Sequence, residues 1–366
     1  MGRIYLYGII EATRGGTLDI LGVDGTAPVH TMALDGLGCV ASDYNGEGFG
    51  DVPRETLIRS LFAHQMVVEH VMQEGQAVLP AKFGTLLDSV DEALALLAQG
   101  HSRFVKALAA IQDRVEVEVA ATWRRDRVLQ EVATADVVVR AREAMTLNGR
   151  PTLEDRVRLG QLVKTLLDQR RDSHRKRMLT LLGPLAVDST SNALVSDEMV
   201  MNEAFLVEQS RQGDFDAAME RLDELFQGEI AFRVIGPLPP YSFSSVEVTR
   251  VTPGQVEEAW RTLGLAGAAS QAEVRKAYRR LAAREHRGSM LDGGGTGERL
   301  AYLRKASELL EGYCRAQGEA ERGEGQYGQG SGAAAPPFLI AIKRTARDEV
   351  DPARFGATLV VAERGR

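Results

Sequence analysis

Three prolines fall within four residues at 237, 239 and 240, in the run Gly236-Pro237-Leu238-Pro239-Pro240-Tyr241-Ser242-Phe243. Proline locks its own φ and disfavours helical geometry in the residue before it. The run must therefore be an extended, stiff exit from whatever precedes it. What precedes it is β-prone: EIAFRVI (229–235) reads as a strand. Further upstream, EMVMNEAFLVE (198–208) is a near-continuous apolar strand. Phe215, Met219, Leu222 and Phe226 then fall on one face of a helix, with Gly213-Asp214 before it and Gly228 after it. Residues 185–250 thus read as an α+β domain with a fixed exit.

The N-terminal stretch repeats the mixture. IYLYGII (4–10) is apolar and β-rich, and residues 29–40 form a second β-like region with Asp35-Gly36 as its turn. Pro53 opens a helix whose stripe is Leu57, Leu61, His64, Val68 and Val71. AVLPAKFGTLL (77–87) returns to strand, and Ser89 caps a helix that starts near Val90. VEVEVAATW (115–123) alternates, which predicts Val115, Val117 and Val119 inward with Glu116 and Glu118 facing water. Residues 1–122 therefore read as a first α+β domain, with a ferredoxin-like arrangement as one candidate.

Residues 123–184 are helical and charged, and Leu159, Leu162, Val163 and Leu166 make their apolar stripe. Pro151 separates two pieces, so the segment reads as a helical hairpin, either projecting or packed between the domains. Residues 251–335 hold a polar-rich helical block with a glycine break at 292–297 and a low-complexity linker, GEGQYGQGSGAAAPP (323–337). FLIAIKR (338–344) and ATLVVAE (357–363) then restore β character. Residues 336–366 are accordingly expected to complete the C-terminal domain, which makes the helical block an insertion.

The sequence offers little chemistry. Cys39 and Cys314 are the only cysteines, too few for a disulfide framework or a cysteine zinc site, and they fit a reducing, cytoplasmic setting. No phosphate-binding loop, zinc-protease motif or nucleophile elbow occurs, and no two of the six histidines stand four residues apart. His64 lies on an apolar stripe and is expected to be a buried, hydrogen-bonded structural residue. Lys82 is expected to be a solvated or ion-paired lysine rather than a partner-facing charge. No catalytic residue, cofactor or metal is predicted.

Charge is uneven. Residues 1–122 carry 8 Lys/Arg against 16 Asp/Glu, whereas residues 123–190 carry 14 against 9. The overall net charge of −7 argues against nucleic acid, the cluster Arg170, Arg171, Arg175, Lys176, Arg177 notwithstanding. No apolar run reaches the ~18 residues of a membrane helix, so no membrane partner is expected.

Two segments carry a resemblance. Helix residues around His64 lead into Val78-Leu79-Pro80-Ala81-Lys82-Phe83-Gly84-Thr85, and Asn202-Glu203-Ala204-Phe205-Leu206-Val207 is followed by the proline-rich run. Together with Tyr5-Leu6-Tyr7-Gly8-Ile9 and VEVEVAATW, they resemble the gas vesicle GvpL/GvpF family over roughly residues 3–243. The resemblance implies a non-enzymatic accessory or minor structural protein of gas vesicles in the cytoplasm. Its implied partners are the very hydrophobic shell protein and other accessory proteins, met during nucleation and assembly. It marks Leu79, Pro80, Lys82, Phe83, Gly84, Asn202, Phe205, Gly236, Pro237, Pro239, Pro240, Tyr241 and Phe243 as family-motif residues.

The helical block bears a second resemblance. Trp260 to Gly264, then Ala269 to Leu281, is similar to the start of a J-domain, the co-chaperone module that engages Hsp70, with Arg279 and Arg280 on a basic face. Where that module has His-Pro-Asp, this chain has His286-Arg287-Gly288, which implies a J-like fold without Hsp70 stimulation. A co-chaperone that recruits Hsp70 to vesicle subunits is the alternative function.

Overall fold

The computed structural model describes residues 2–46, 48–50, 52–147, 150–265, 269–289, 296–323 and 338–344. Four strands open the chain: β1 (Arg3–Glu11), β2 (Gly16–Leu21), β3 (Pro28–Leu34) and β4 (Leu37–Tyr44). Asp35 and Gly36 join β3 to β4 with φ of 49° and 85°, the pair of positive values that a tight two-residue hairpin needs. β2 is not among the expected strands, because only Leu18 and Ile20 turn inward from it. Helix α1 (Arg54–Gln73), short strands β5 (Val78–Pro80) and β6 (Leu86–Leu87), and helix α2 (Val90–Ile111) complete the first lobe. Ser89 caps α2 by accepting from the Glu92 amide, as its position predicts.

The first sheet runs β2-β3-β4-β1-β5, with β6 also on β1. Its two helices cover opposite faces. Val67, Val68 and Val71 of α1 pack with Tyr5, Tyr7 and Val40. Leu96, Phe104 and Leu108 of α2 pack with Ile4, Leu6 and Ile9. An irregularity in the β1–β4 register between Leu6 and Gly8 resets the alternation, so that Ile9 joins the face of Leu6. Four strands before the first helix is not the βαββαβ order of a ferredoxin-like fold.

Strand β7 (Arg114–Trp123) leaves this lobe. The sequence reading places it in the first domain; it is instead a central strand of the second sheet, because alternation identifies a strand but not its partners. Helices α3 (Arg125–Ala133), α4 (Asp136–Leu147) and α5 (Leu153–Leu182) follow, three helices where a hairpin is expected. Thr152 and Asp155 form a capping box just after Pro151, which fixes the start of α5. Then come β8 (Asp188–Ser191), β9 (Met199–Glu208), α6 (Gln212–Phe226) and β10 (Ile230–Leu238).

The second sheet has the order β10-β7-β9-β8, all antiparallel. Phe215, Met219, Leu222 and Phe226 of α6 are buried against it, as their spacing predicts, each contributing roughly 1.5–3 kcal/mol. His174, Met178 and Leu182 bring the end of α5 into the same layer.

Strand β11 (Ser245–Arg250) crosses back to the first lobe through a parallel bridge from Val246 to Ala81 beside β5. Helices α7 (Pro253–Leu263), α8 (Gln271–Ser289) and α9 (Thr296–Gly323) pack around Trp260, Leu263, Val274 and Leu310. Strand β12 (Phe338–Lys343) then pairs with β11. Phe338 and Ile340 join Val246 in the core under α2. β12 thus pairs with the last strand of the expected C-terminal domain, residues 185–250, while Phe338 and Ile340 pack in the first lobe rather than on the second sheet; ATLVVAE (357–363) lies outside the described residues. The backbone of His286 falls within α8, and its side chain is outside the described set. Arg279 and Arg280 are exposed on that helix.

Candidate interaction site at the junction of the two lobes

The first motif segment ends against a buried aromatic cluster. Leu79 and Pro80 are buried in β5. Regular pairing then stops: the Lys82 amide donates to the Val246 carbonyl at 2.8 Å and the Thr85 hydroxyl donates to the Lys82 carbonyl at 2.6 Å. Gly84 adopts φ of 83°, a value few side chains tolerate, which points its N–H at the Tyr5 hydroxyl, 3.1 Å away. The Tyr5 oxygen lies 3.0 Å from His64 Nδ1. Burial pushes the His64 pKa down to about 4, with the Ala81 backbone pulling weakly upward, so the ring is neutral. Burial also raises Tyr5 well above its ordinary value. Phe83 packs 5.8 Å from the His64 ring and 4.8 Å from Phe49.

Lys82 is ion-paired. Its Nζ lies 2.7 Å from Glu247 of β11, and Lys343 of β12 pairs with the other carboxylate oxygen. Burial alone would raise the Glu247 pKa, but the hydrogen bonds from Lys343 and Lys82 hold it below its usual value. The trio ties the β11–β12 ribbon to β5.

The proline run forms the other half of the junction. Gly236 has φ of 155° and precedes a cis peptide to Pro237; a Cβ there would stand 2.9 Å from the Glu116 carbonyl oxygen. Pro237 is exposed, whereas Pro239 and Pro240 are buried. The Phe243 and Ser244 amides both donate to the Pro240 carbonyl, at 3.1 and 2.9 Å. That turn presents Ser242 to Glu116, whose two carboxylate oxygens accept from the Ser242 amide at 2.8 Å and hydroxyl at 2.7 Å. Tyr241 reaches the first lobe, its ring 6.4 Å from that of His64. The Arg344 guanidinium lies over Phe243, 5.5 Å from its centroid.

Glu116 and Glu118 do not face water. They are 1% and 9% exposed, because the β10 exit covers that face of the sheet. Alternation gives the side of a strand correctly but not what lies against it. Glu116 and Ser242 are the pair that sequence reasoning misses; the one signal was Ser242's place inside the stiff run.

Asn202 and Phe205 sit apart from this junction, on β9. Asn202 accepts from the Asn192 amide at 2.8 Å and donates through Nδ2 to the Ala193 carbonyl at 2.9 Å, closing the β8–β9 hairpin. Phe205 is fully buried, 5.4 Å from Phe215. Among the described residues, no group of three His, Cys, Asp or Glu is placed to hold a metal, and no helix is long and apolar enough to cross a membrane. An open cleft of about 390 Å³ lies beside Trp123, Arg124, Asp126, Glu198 and Glu229, away from every motif residue.

Residues 3–245 match the family model for gas vesicle synthesis protein GvpL/GvpF, and so contain both halves of this junction. The chain belongs to the GvpL/GvpF family. That membership gives it a role in gas vesicle assembly, within a family of accessory proteins rather than of known enzymes. Gas vesicle protein F of Streptomyces sp. (strain CB03234) is 30% identical over 244 residues, which is 65% of this chain and 98% of the relative. That of Dolichospermum flosaquae is 24% identical over 246 residues, 67% and 98% of the two chains. The crystal structure of GvpF from Anabaena sp. PCC7120 shares the fold with a TM-score of 0.59 at 24% identity, covering 66% of this chain and 97% of that one. GvpF from Microcystis aeruginosa gives 0.55 at 24% identity, covering 65% and 97%. The match to the family model stops where β11 begins, so α7, α8, α9 and β12 of this GvpL/GvpF member lie outside it.

Proposed function

We propose that this chain is a non-catalytic scaffold that binds the apolar shell protein and other accessory proteins in the cytoplasm while a gas vesicle is nucleated and assembled. One observation carries the reading: the motif residues of 79–84 and 236–243 are occupied where the two lobes meet, while Asn202 and Phe205 hold the second lobe itself. Pro239 and Pro240 aim Ser242 at Glu116, and Tyr241, Phe83 and Gly84 gather around Tyr5 and His64. A signature used this way specifies a fixed relation between two sheets, which suits a protein that works by presenting surfaces. A shell subunit needs its apolar surface covered until it joins the polymer, or it aggregates.

The surface best suited to that task is β10. Among the described residues it ends its sheet, with Val234 42% exposed and Phe232 and Ile235 half-buried. An end strand of this kind can accept a partner strand through main-chain hydrogen bonds. The test is a pull-down of the purified chain with shell protein and with the accessory proteins, alongside a Val234→Lys variant, and deletion of the gene in a vesicle-forming host. Capture of the shell protein, weakened at least tenfold by the variant, and loss of buoyancy on deletion are expected. Unchanged buoyancy on deletion would defeat the reading.

A second reading, recruitment of Hsp70 to vesicle subunits, draws support from α7–α9, which have a core of their own and expose Arg279 and Arg280. Stimulation of Hsp70 ATPase activity by the full chain, abolished by Arg279→Glu with Arg280→Glu, would promote it over the first.

A further inference from the structure

The contacts that hold β12 are ones that any extended segment can make. The Lys82 amide donates to the Val246 carbonyl, so Val246 faces β5. Alternation along the antiparallel β11–β12 ladder then turns the main-chain groups of Phe338, Ile340 and Ile342 away from β11. Helix α2 meets them. Gln99 Nε2 donates to the Phe338 carbonyl at 2.7 Å, and Arg103 Nη1, about one turn later, donates to the Ile340 carbonyl at 2.6 Å. Side chains supply the selectivity. Phe338 and Ile340 are buried with Leu96 and Val246, Leu339 turns the other way toward Gly312 of α9, and Lys343 pairs with Glu247. Donors for the main chain and pockets for alternate side chains are the two parts of a site that binds a strand.

Two observations mark β12 as a replaceable occupant. Gln99 Oε1 is buried and, among the described residues, has no hydrogen-bond partner. A buried acceptor left unpaired costs free energy, which a strand that offers it an N–H recovers. Second, α2 and β5 lie inside residues 3–245, which match the family model, whereas β12 lies outside them. The walls of the slot belong to the family and its occupant to this chain.

We propose that the slot between β11 and α2 is a binding site for an extended partner segment with large apolar side chains at alternate positions, and that β12 fills it in cis as a plug. The partner segment enters as β12 leaves, pairs with β11 and places an N–H on Gln99 Oε1. Leu339 packs on the core of α7–α9, so displacement also loosens the helical block from the first lobe. The slot is separate from β10, and the proposal stands whichever partner β10 receives.

A fluorescein-labelled peptide of residues 336–344 is the probe, titrated against the full chain and read by anisotropy. Phe338→Asp with Ile340→Asp unseats β12 and should bind the peptide at least tenfold more tightly than the parent, in which β12 competes. Adding Gln99→Ala and Arg103→Ala to that variant should remove the gain. Equal binding by the parent and the unseated variant overturns the proposal, as does a gain that survives the loss of Gln99 and Arg103. Should the unseated variant fail to fold, the parent with a protease site inserted after Gly330 replaces it. Once cut, that chain should exchange its own β12 fragment for the labelled peptide, and a cut chain that takes up none is equally fatal. Sizing of the parent covers the remaining occupant: a dimer that excess peptide splits into monomers would put a second copy's β12 in the slot, and would overturn the reading of a foreign partner.

Discussion

Replacing Ser242 by alanine removes one of the two donors that Ser242 offers to Glu116, the hydroxyl at 2.7 Å, and leaves the amide at 2.8 Å. The carboxylate is 1% exposed, so no water can take the place of the lost donor without opening the turn. A hydrogen bond to a charged group is worth about 1.5–3 kcal/mol, and a neutral one about half that. With the backbone donor retained, the expected loss is about 2 kcal/mol. The chain has two tryptophans, and Trp123 lies in the core of the second sheet while Trp260 lies among α7–α9. A Trp260→Phe background therefore makes fluorescence report on the sheet that Glu116 belongs to. With an m-value of about 2 kcal/mol/M in urea, Ser242→Ala should lower the midpoint by about 1 M. Thr249→Ala, an exposed position on β11, should leave the midpoint within about 0.25 M, since surface changes stay within about 0.5 kcal/mol. A Ser242→Ala midpoint no lower than that of Thr249→Ala would show that the Glu116 contact does not anchor the proline run on the second sheet.

Three further outcomes follow from the same geometry. His64 has its pKa pushed down to about 4 from an ordinary 6.5, so the unfolded chain binds the proton first. Its stabilising contribution is full above pH 6.5 and is lost as pH falls toward 4, by about 2 kcal/mol at pH 5; melting curves of the parent and His64→Phe should converge over that range, and parallel curves would refute the assignment. Gly236→Ala places a Cβ 2.9 Å from the Glu116 carbonyl at a φ of 155° and should cost about 1–3 kcal/mol, whereas Gly213→Ala at the start of α6, with nothing within 4 Å, should be neutral or slightly stabilising in the same thermal melts. Glu247→Gln breaks pairs whose lysines are 43% and 51% exposed, so urea midpoints should move by less than about 0.5 M at low salt and less still at 1 M salt.

Local physics was legible in the sequence. The Asp35-Gly36 hairpin, the Ser89 cap and the buried face of α6 each depend on residues close in the chain, and each stands as expected; the run 236–243, expected to be extended throughout, instead turns at Pro240. His64 was legible too, because a polar ring on an apolar stripe has to be buried. What failed were statements about partners distant in sequence. VEVEVAATW announces a strand, but nothing in it says that β9 and β10, rather than β1 or β4, will flank it. Period-two alternation makes Glu116 look wet because it assumes that the second face meets solvent, and here the proline run folds over that face. The packing of FLIAIKR is illegible for a related reason: its apolar residues fit any core, and pairing with β11 under α2 makes the choice. The motif residues stand out by pattern, but the gathering of 79–84 and 236–243 at the junction emerges only once Tyr5, His64, Glu116 and Ser242 are seen together.

Arg250 stands directly opposite Phe338 in the β11–β12 ladder. Everything encoded between them departs from and returns to a single point on the body of the protein. Such a port suits an independently folding cargo whose ends lie close together. A fluorescent reporter or an affinity module could replace the helices now plugged into it, provided that Leu339, on which α9 packs, is replaced by a polar residue.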